Sequence, residues 1–223
     1  MKKFRLIIVT LLVAIVALTA IVALTACKKD EPVTLTVNEY TATYNGSSHT
    51  PTINCSAGRD GLTVTYTDKN GNVLSYAPIN AGTYTVTARF EGKGYITTEA
   101  SSTMVINKAK PTVKTWPTVK EGIESVVYGS DFNSDWLKFT TTSDGYVTGV
   151  DGEPLSGTYS WSVNQVLSVK TPAYDVTFTP SESYVANYSS VDSSNTTNGK
   201  IKLSVTKASE ALKRLLPNLI NFL

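Results

Sequence analysis

The segment TYTVTARF, residues 83–90, sets Tyr84, Val86, Ala88 and Phe90 on one side of an extended chain and Thr83, Thr85, Thr87 and Arg89 on the other. A side-chain period of two fits a pleated strand with one face buried and one wet, and it does not fit a helix. The same alternation runs through Leu62, Val64 and Tyr66; Tyr159, Trp161 and Val163; Tyr174, Val176 and Phe178; and Ile201, Leu203 and Val205. Thr, Ser, Val and Tyr dominate these stretches, as expected for strands. Turn chemistry separates them, most plainly Asn70-Gly71 within YTDKNGNVL, a pair suited to the positive φ values of a two-residue hairpin. Many short strands with such punctuation predict an all-β fold of antiparallel sandwiches and exclude an α/β sheet.

Residues 33–207 are too many for one immunoglobulin-like sandwich of about 100 residues and suit two. An internal echo supplies the boundary. VINKA (105–109) corresponds to SVTKA (204–208), and ahead of each lies a tyrosine-centred strand, AGTYTVTARF or PAYDVTFTP. A second tyrosine follows in each, within KGYITTEA and ANYSSVDS. The expected units are 33–108 and 110–207, two tandem antiparallel immunoglobulin-like β-sandwiches. Tyr84 resembles the corner tyrosine of such folds.

The first unit resembles the bacterial immunoglobulin-like repeats known as MBG domains. The likeness is carried by its YNG with TP shortly after, by NAGTYTV and by the closing INKA. The second unit, with VVYGSDF, SGTYSW and YDVTFTPSESYVANYSSV, is similar to the YG-containing version of that repeat. It departs by longer loops around TSDGYVTGVDGEP and SSVDSSNTTNG, which blur its strand boundaries. The resemblance implies extracellular, stacked β-sandwiches in stalks or adhesive regions, and it supplies no catalytic residues.

The N-terminus sets the compartment. Lys2, Lys3 and Arg5 precede an uncharged apolar run from Leu6 to Ala26, the pattern of a secretory signal helix. The run is long enough that a retained transmembrane anchor competes with cleavage. LTAC, Leu24–Cys27, resembles the lipobox of bacterial lipoproteins, in which the cysteine is acylated and becomes the new N-terminus. Residues 1–26 are therefore expected to be a lipoprotein signal peptide and Cys27 the lipidation site. A single acyl chain holds only marginally, so two or three are needed for firm anchoring. Residues 27–32 form a charged spacer, whose KKDEP is similar to signals that send some lipoproteins to the outer cell face. The expected localisation is extracytoplasmic, lipid-anchored to the bacterial membrane and surface-exposed.

Loss of the signal takes three of 20 basic side chains and leaves 17 against 18 acidic ones, so no clustered positive charge points to nucleic acid. With Cys27 acylated, Cys55 has no disulfide partner and reads as a small buried apolar residue. His49, the sole histidine, stands among Ser47, Ser48 and Thr50 and reads as a solvated turn residue; one histidine makes neither a triad nor a zinc site. Calcium needs only oxygen ligands. Asp68–Asn72 lacks the later acid of a calcium loop, whereas Asp144, Asp151 and Glu153, between glycines, form the better but still weak candidate. Tyr146, in that loop, is the aromatic expected outside and a weak ligand-binding candidate for a glycan. No metal or cofactor is expected, and no enzymatic activity.

The tail breaks the pattern: after Ser209, Leu212, Leu215, Leu216, Leu219 and Ile220 share a helical face opposite Lys213 and Arg214, interrupted by Pro217. Residues 208–223 are thus expected as a short amphipathic helix that docks on the second unit, lies on a membrane, pairs with a partner, or ends a truncated repeat array. The sequence points to a lipid-anchored, non-catalytic surface protein acting as spacer or adhesion module. Its expected partners are the membrane and a host or cell-surface glycan or protein. Two alternatives remain: a carbohydrate-binding accessory lipoprotein and a shortened copy of a longer adhesin.

Overall fold

The computed structural model describes residues 29–123, 125–138, 141–142, 146–171, 173–196 and 199–207. The expected signal peptide (1–26), Cys27, Asp144 and the expected C-terminal helix (208–223) lie outside these residues. What is described is nearly all β, with two single-turn 3-10 segments, Ser134–Trp136 and Ser193–Asn195. No helix among the described residues is long and apolar enough to cross a membrane.

Residues 33–107 hold seven strands: β1 (Leu35–Val37), β2 (Tyr40–Thr43), β3 (Ile53–Cys55), β4 (Leu62–Asp68), β5 (Val73–Leu74), β6 (Gly82–Phe90) and β7 (Thr98–Asn107). Five of them form a sheet in the order β2-β7-β6-β4-β5, antiparallel except that β2 runs parallel to β7. The β1–β3 pair forms a second layer, and β1 packs on β6 and β7. The expected alternation is present: Tyr84, Val86, Ala88 and Phe90 are buried, and Thr83, Thr85 and Arg89 are exposed. Val86 and Met104 are fully buried in the centre of this core.

The turn after β4 differs from a two-residue hairpin. Asp68 pairs with Asn72, Asp68 N–H donating to the Asn72 carbonyl, so Lys69, Asn70 and Gly71 form a three-residue loop in which only Gly71 takes positive φ (86°). The Asp68 carboxylate accepts the backbone N–H groups of Asn70 and Asn72 and the Asn72 side-chain amide. Those bonds, with the Asn72 side chain foremost, hold its pKa below the usual value.

In the second half, a four-stranded antiparallel sheet runs in the order Thr141–Thr142, Gly157–Trp161, Val176–Pro180, Val191–Asp192. Four two-residue pairings surround it. Its core gathers Leu137, Val147, Leu155, Tyr159, Trp161, Tyr174, Val176, Phe178, Ile201 and Leu203. Val163, expected on the inward face, is 83% exposed, because the strand ends at Trp161 and the alternation lapses with it.

Ala109 is 2% exposed and belongs to the second core, not to a free linker. Its N–H donates to the Asn187 carbonyl, and its own carbonyl accepts from Ser189 N–H. The chain therefore leaves β7 at Asn107 and is taken up by the second half within two residues.

Candidate functional site: the junction between the halves

SESYVANY, residues 181–188, winds into a compact turn: Val185 N–H donates to Ser181 O, and Tyr188 N–H to Tyr184 O. The turn is tied to its own half by Ser181 N–H on Ser156 O and by the Ser156–Ser181 hydroxyl pair. A four-residue spacing brings Tyr184 and Tyr188 together, with ring centroids 6.4 Å apart. Asn187, just before Tyr188, faces the first half.

Its amide acts as a clamp. Asn187 Oδ1 accepts from Ala81 N–H at 2.8 Å, and Asn187 Nδ2 donates to Asn80 Oδ1 at 3.0 Å. The receiving segment is itself fixed, because Tyr84 Oη donates to Asn80 O at 2.8 Å. Tyr84, the third residue of β6, thus bonds back to the backbone four residues upstream, the geometry of a tyrosine corner. Lys108 Nζ donates to Val185 O. Tyr44, held at the end of β7 by its N–H on Asn107 O, meets Tyr188 edge-on at 5.4 Å and packs against the cores of both halves. A Cβ built on Gly46 would lie 4.0 Å from Val150 Cγ2, so the same loop touches the second half again.

Beside the clamp opens a cleft of about 260 Å³ lined by Tyr44, Gly149, Asp151, Glu153, Tyr184 and Tyr188 among others. Tyr188 is buried, and its Oη accepts from Val150 N–H at 3.0 Å. Burial first, then the neighbouring Tyr44, Asp151 and Tyr184, push the Tyr188 phenol up despite that bond, so it stays neutral. A Cβ on Gly149 would come within 2.5 Å of Tyr188 Oη and 2.9 Å of Asp151 Oδ1, so glycine is required for both to close over it.

The residues singled out from sequence fall in different places. Asp151 and Glu153 share the turn 149–153, where Asp151 Oδ1 accepts the Glu153 N–H at 3.1 Å. No group of three or more His, Cys, Asp or Glu able to hold a metal exists among the described residues. Tyr146 is only half-buried and its carbonyl accepts from Lys114 N–H; the most exposed tyrosines are Tyr76 (85%) and Tyr128 (57%). His49 is not a solvated turn residue: it is 5% exposed, its N–H donates to Pro78 O, and its Nδ1 lies 3.0 Å from Tyr40 Oη. The Pro78 loop folds over it, which its polar neighbours in sequence do not reveal. Cys55 is half-buried beside the Leu35, Ala88 and Phe90 cluster and is a free thiol. Asn80, Lys108 and Asn187 carried no sequence signal beyond standing near the echoed tyrosines.

Residues 33–110 match the MBG domain family. The match ends at the residue after Ala109, so it includes the point where the second half takes up the chain. No curated protein matches the chain. One of the solved structures it resembles is the Bacteroides ovatus mixed-linkage glucan utilization locus SGBP-B in complex with a mixed-linkage heptasaccharide, at 14% identity and a TM-score of 0.28. That alignment covers 76% of this chain and 43% of the other.

Proposed function

We propose that the chain is a non-catalytic surface lipoprotein, anchored through acylated Cys27, in which the MBG domain and a second unit of the YG-containing type act as a stiff spacer or adhesion module. On this reading the units are immunoglobulin-like sandwiches spanning 33–108 and 110–207. The observation that carries it is the junction: Asn187, Lys108 and Tyr44 tie the two halves through side chains, with only Lys108 between β7 and the buried Ala109. A spacer transmits reach only if its modules do not fold back on each other. Such a clamp resists that, whereas a flexible linker would not.

The test is metabolic labelling of bacteria making the full-length chain with an alkyne fatty acid, followed by protease treatment of intact cells. The expected result is an acylated chain, shaved from the surface, whose label disappears in Cys27→Ser. An unacylated or uncut chain, or one protected from protease on intact cells, overturns the anchored surface reading.

A further inference from the structure

The strand Gly157–Trp161 begins beside the Ser156–Ser181 tie to the junction turn, so the loop that follows Trp161 lies at the opposite end of the second half. The chain turns there at Asn164, whose φ of 64° is in the left-handed region that asparagine tolerates. Two ties fix the loop. The Gln165 amide donates to Ser162 O and Asp175 O and accepts from Asp175 N–H, while Tyr174 Oη bonds both the N–H and the carbonyl of Ser168. Leu167, between these ties, is buried in the core. So held, the loop presents Val163, Val166 and Val169 to solvent, with Tyr128 exposed across a cleft of about 270 Å³ that Val166, Leu167 and Phe132 also line. These side chains stand outside on a pinned backbone, and a fixed apolar display of this kind suits an apolar partner.

The chain leaves the described residues beside this patch. Tyr128 N–H donates to Thr206 O at 2.8 Å, and Val205 lines a second cleft together with Val169 and Lys170. Residues 208–223 lie outside the described residues, and their sequence puts Leu212, Leu215, Leu216, Leu219 and Ile220 on one helical face with Lys213 and Arg214 opposite. We propose that this tail docks its leucine face on Val163, Val166, Val169 and Tyr128. Only Lys207, Ala208 and Ser209 separate Thr206 from the amphipathic stretch, a reach of about 10 Å when extended. A tether that short holds the tail at a roughly millimolar effective concentration, which a second copy or a separate protein does not match at micromolar levels. The membrane is the other apolar surface within the chain's reach, but on the anchored reading it lies at the far end of the first half, where Glu31 pairs with Tyr95 beyond the end of β6. The dock goes beyond the spacer role and does not depend on acylation.

The experiment places a benzophenone-bearing amino acid at position 166 of the full-length chain, in a neutral polyoxyethylene detergent and in lipid nanodiscs, and maps the photocross-link by mass spectrometry. A cross-link to residues 208–223 of the same chain, at monomer mass, is expected in both settings. Hydrogen–deuterium exchange supplies the reciprocal test. Val166→Asp should speed amide exchange in 210–220 about tenfold, and Leu215→Asp with Leu216→Asp should speed it in 163–169 to a similar degree. Val166 is exposed, so its substitution spares the core, and unchanged far-ultraviolet circular dichroism confirms that lost protection reports the contact. A cross-link to a second chain, or to lipid or detergent alone, overturns the proposal in favour of a paired or membrane-bound tail. Unchanged exchange in both variants overturns it outright. Cys27→Ser should give the same cross-link as the parent, which separates a failed anchor from a failed dock.

Discussion

Tyr84 shows how one hydroxyl can serve both stability and assembly. Its ring fills the core of the first half, and its Oη fixes Asn80 O, so that Asn80 and Ala81 are presented to Asn187. In Tyr84→Phe the ring stays and the corner bond goes. The expected cost is about 1 kcal/mol, read as a lower urea midpoint with unchanged slope. Asp192 offers a second residue-scale test. Burial alone would raise its pKa, but hydrogen bonds from Ser162, Ser194 and Thr177 outweigh burial and hold it at about 2, against an ordinary 3.8. A carboxylate lowered in the folded state stabilises it above the unfolded pKa, and that contribution is lost as pH falls toward the folded value. Stability should therefore drop from pH 3.8 toward pH 2 by about 1 kcal/mol after solvent screening, and Asp192→Asn should remove that part of the slope.

Strands and turns differ in how far sequence discloses them. In the Gly157–Trp161 strand, a Cβ at Gly157 would lie 2.4 Å from both Phe178 Cζ and Thr179 O across the pair. Gly157→Ala must push a buried ring or the partner backbone aside, so a loss of about 2 kcal/mol is expected in thermal or urea unfolding. An unchanged midpoint would show that the sheet yields more readily than its packing implies. The alternation that reveals β6 reveals this strand equally well, and for the same reason: burial on one face forces period two into the residues themselves. Where pairing shrinks to two residues, as in Thr118–Val119 with Leu137–Lys138, no period can register and the sequence is silent. The Asp68–Asn72 turn was legible as a turn but not in length, since Asn-Gly suits both loop types and the Asp68 carboxylate selects the longer one. The junction was legible only as an echo of tyrosines. Its clamp depends on two asparagines 107 positions apart, a relation that no local pattern encodes.

At the scale of the whole chain, the issue is whether two small β units behave as one body. Short connections alone do not decide this, since inter-domain contacts of modest size commonly permit relative motion. Here the covalent link is nearly absent as a free segment, because Ala109 is already buried in the second core. Opening the joint would strip Ala81 N–H and Asn80 Oδ1 of their Asn187 partner and Val185 O of its Lys108 partner, and would expose the Tyr44–Tyr188 contact. Asn187→Ala removes two of those bonds, about 2 kcal/mol by ordinary hydrogen-bond magnitudes. It leaves the Asn187 backbone carbonyl free to keep Ala109 in place. The variant should keep the strand content of the parent in far-ultraviolet circular dichroism while its scattering profile broadens toward a flexible pair. Adding Lys108→Met should broaden it further, because the remaining polar tie acts on the same joint. A parent that already scatters as a flexible pair, or variants indistinguishable from it, would mean that the side-chain ties do not govern the joint and that reach from the membrane is not what this arrangement supplies.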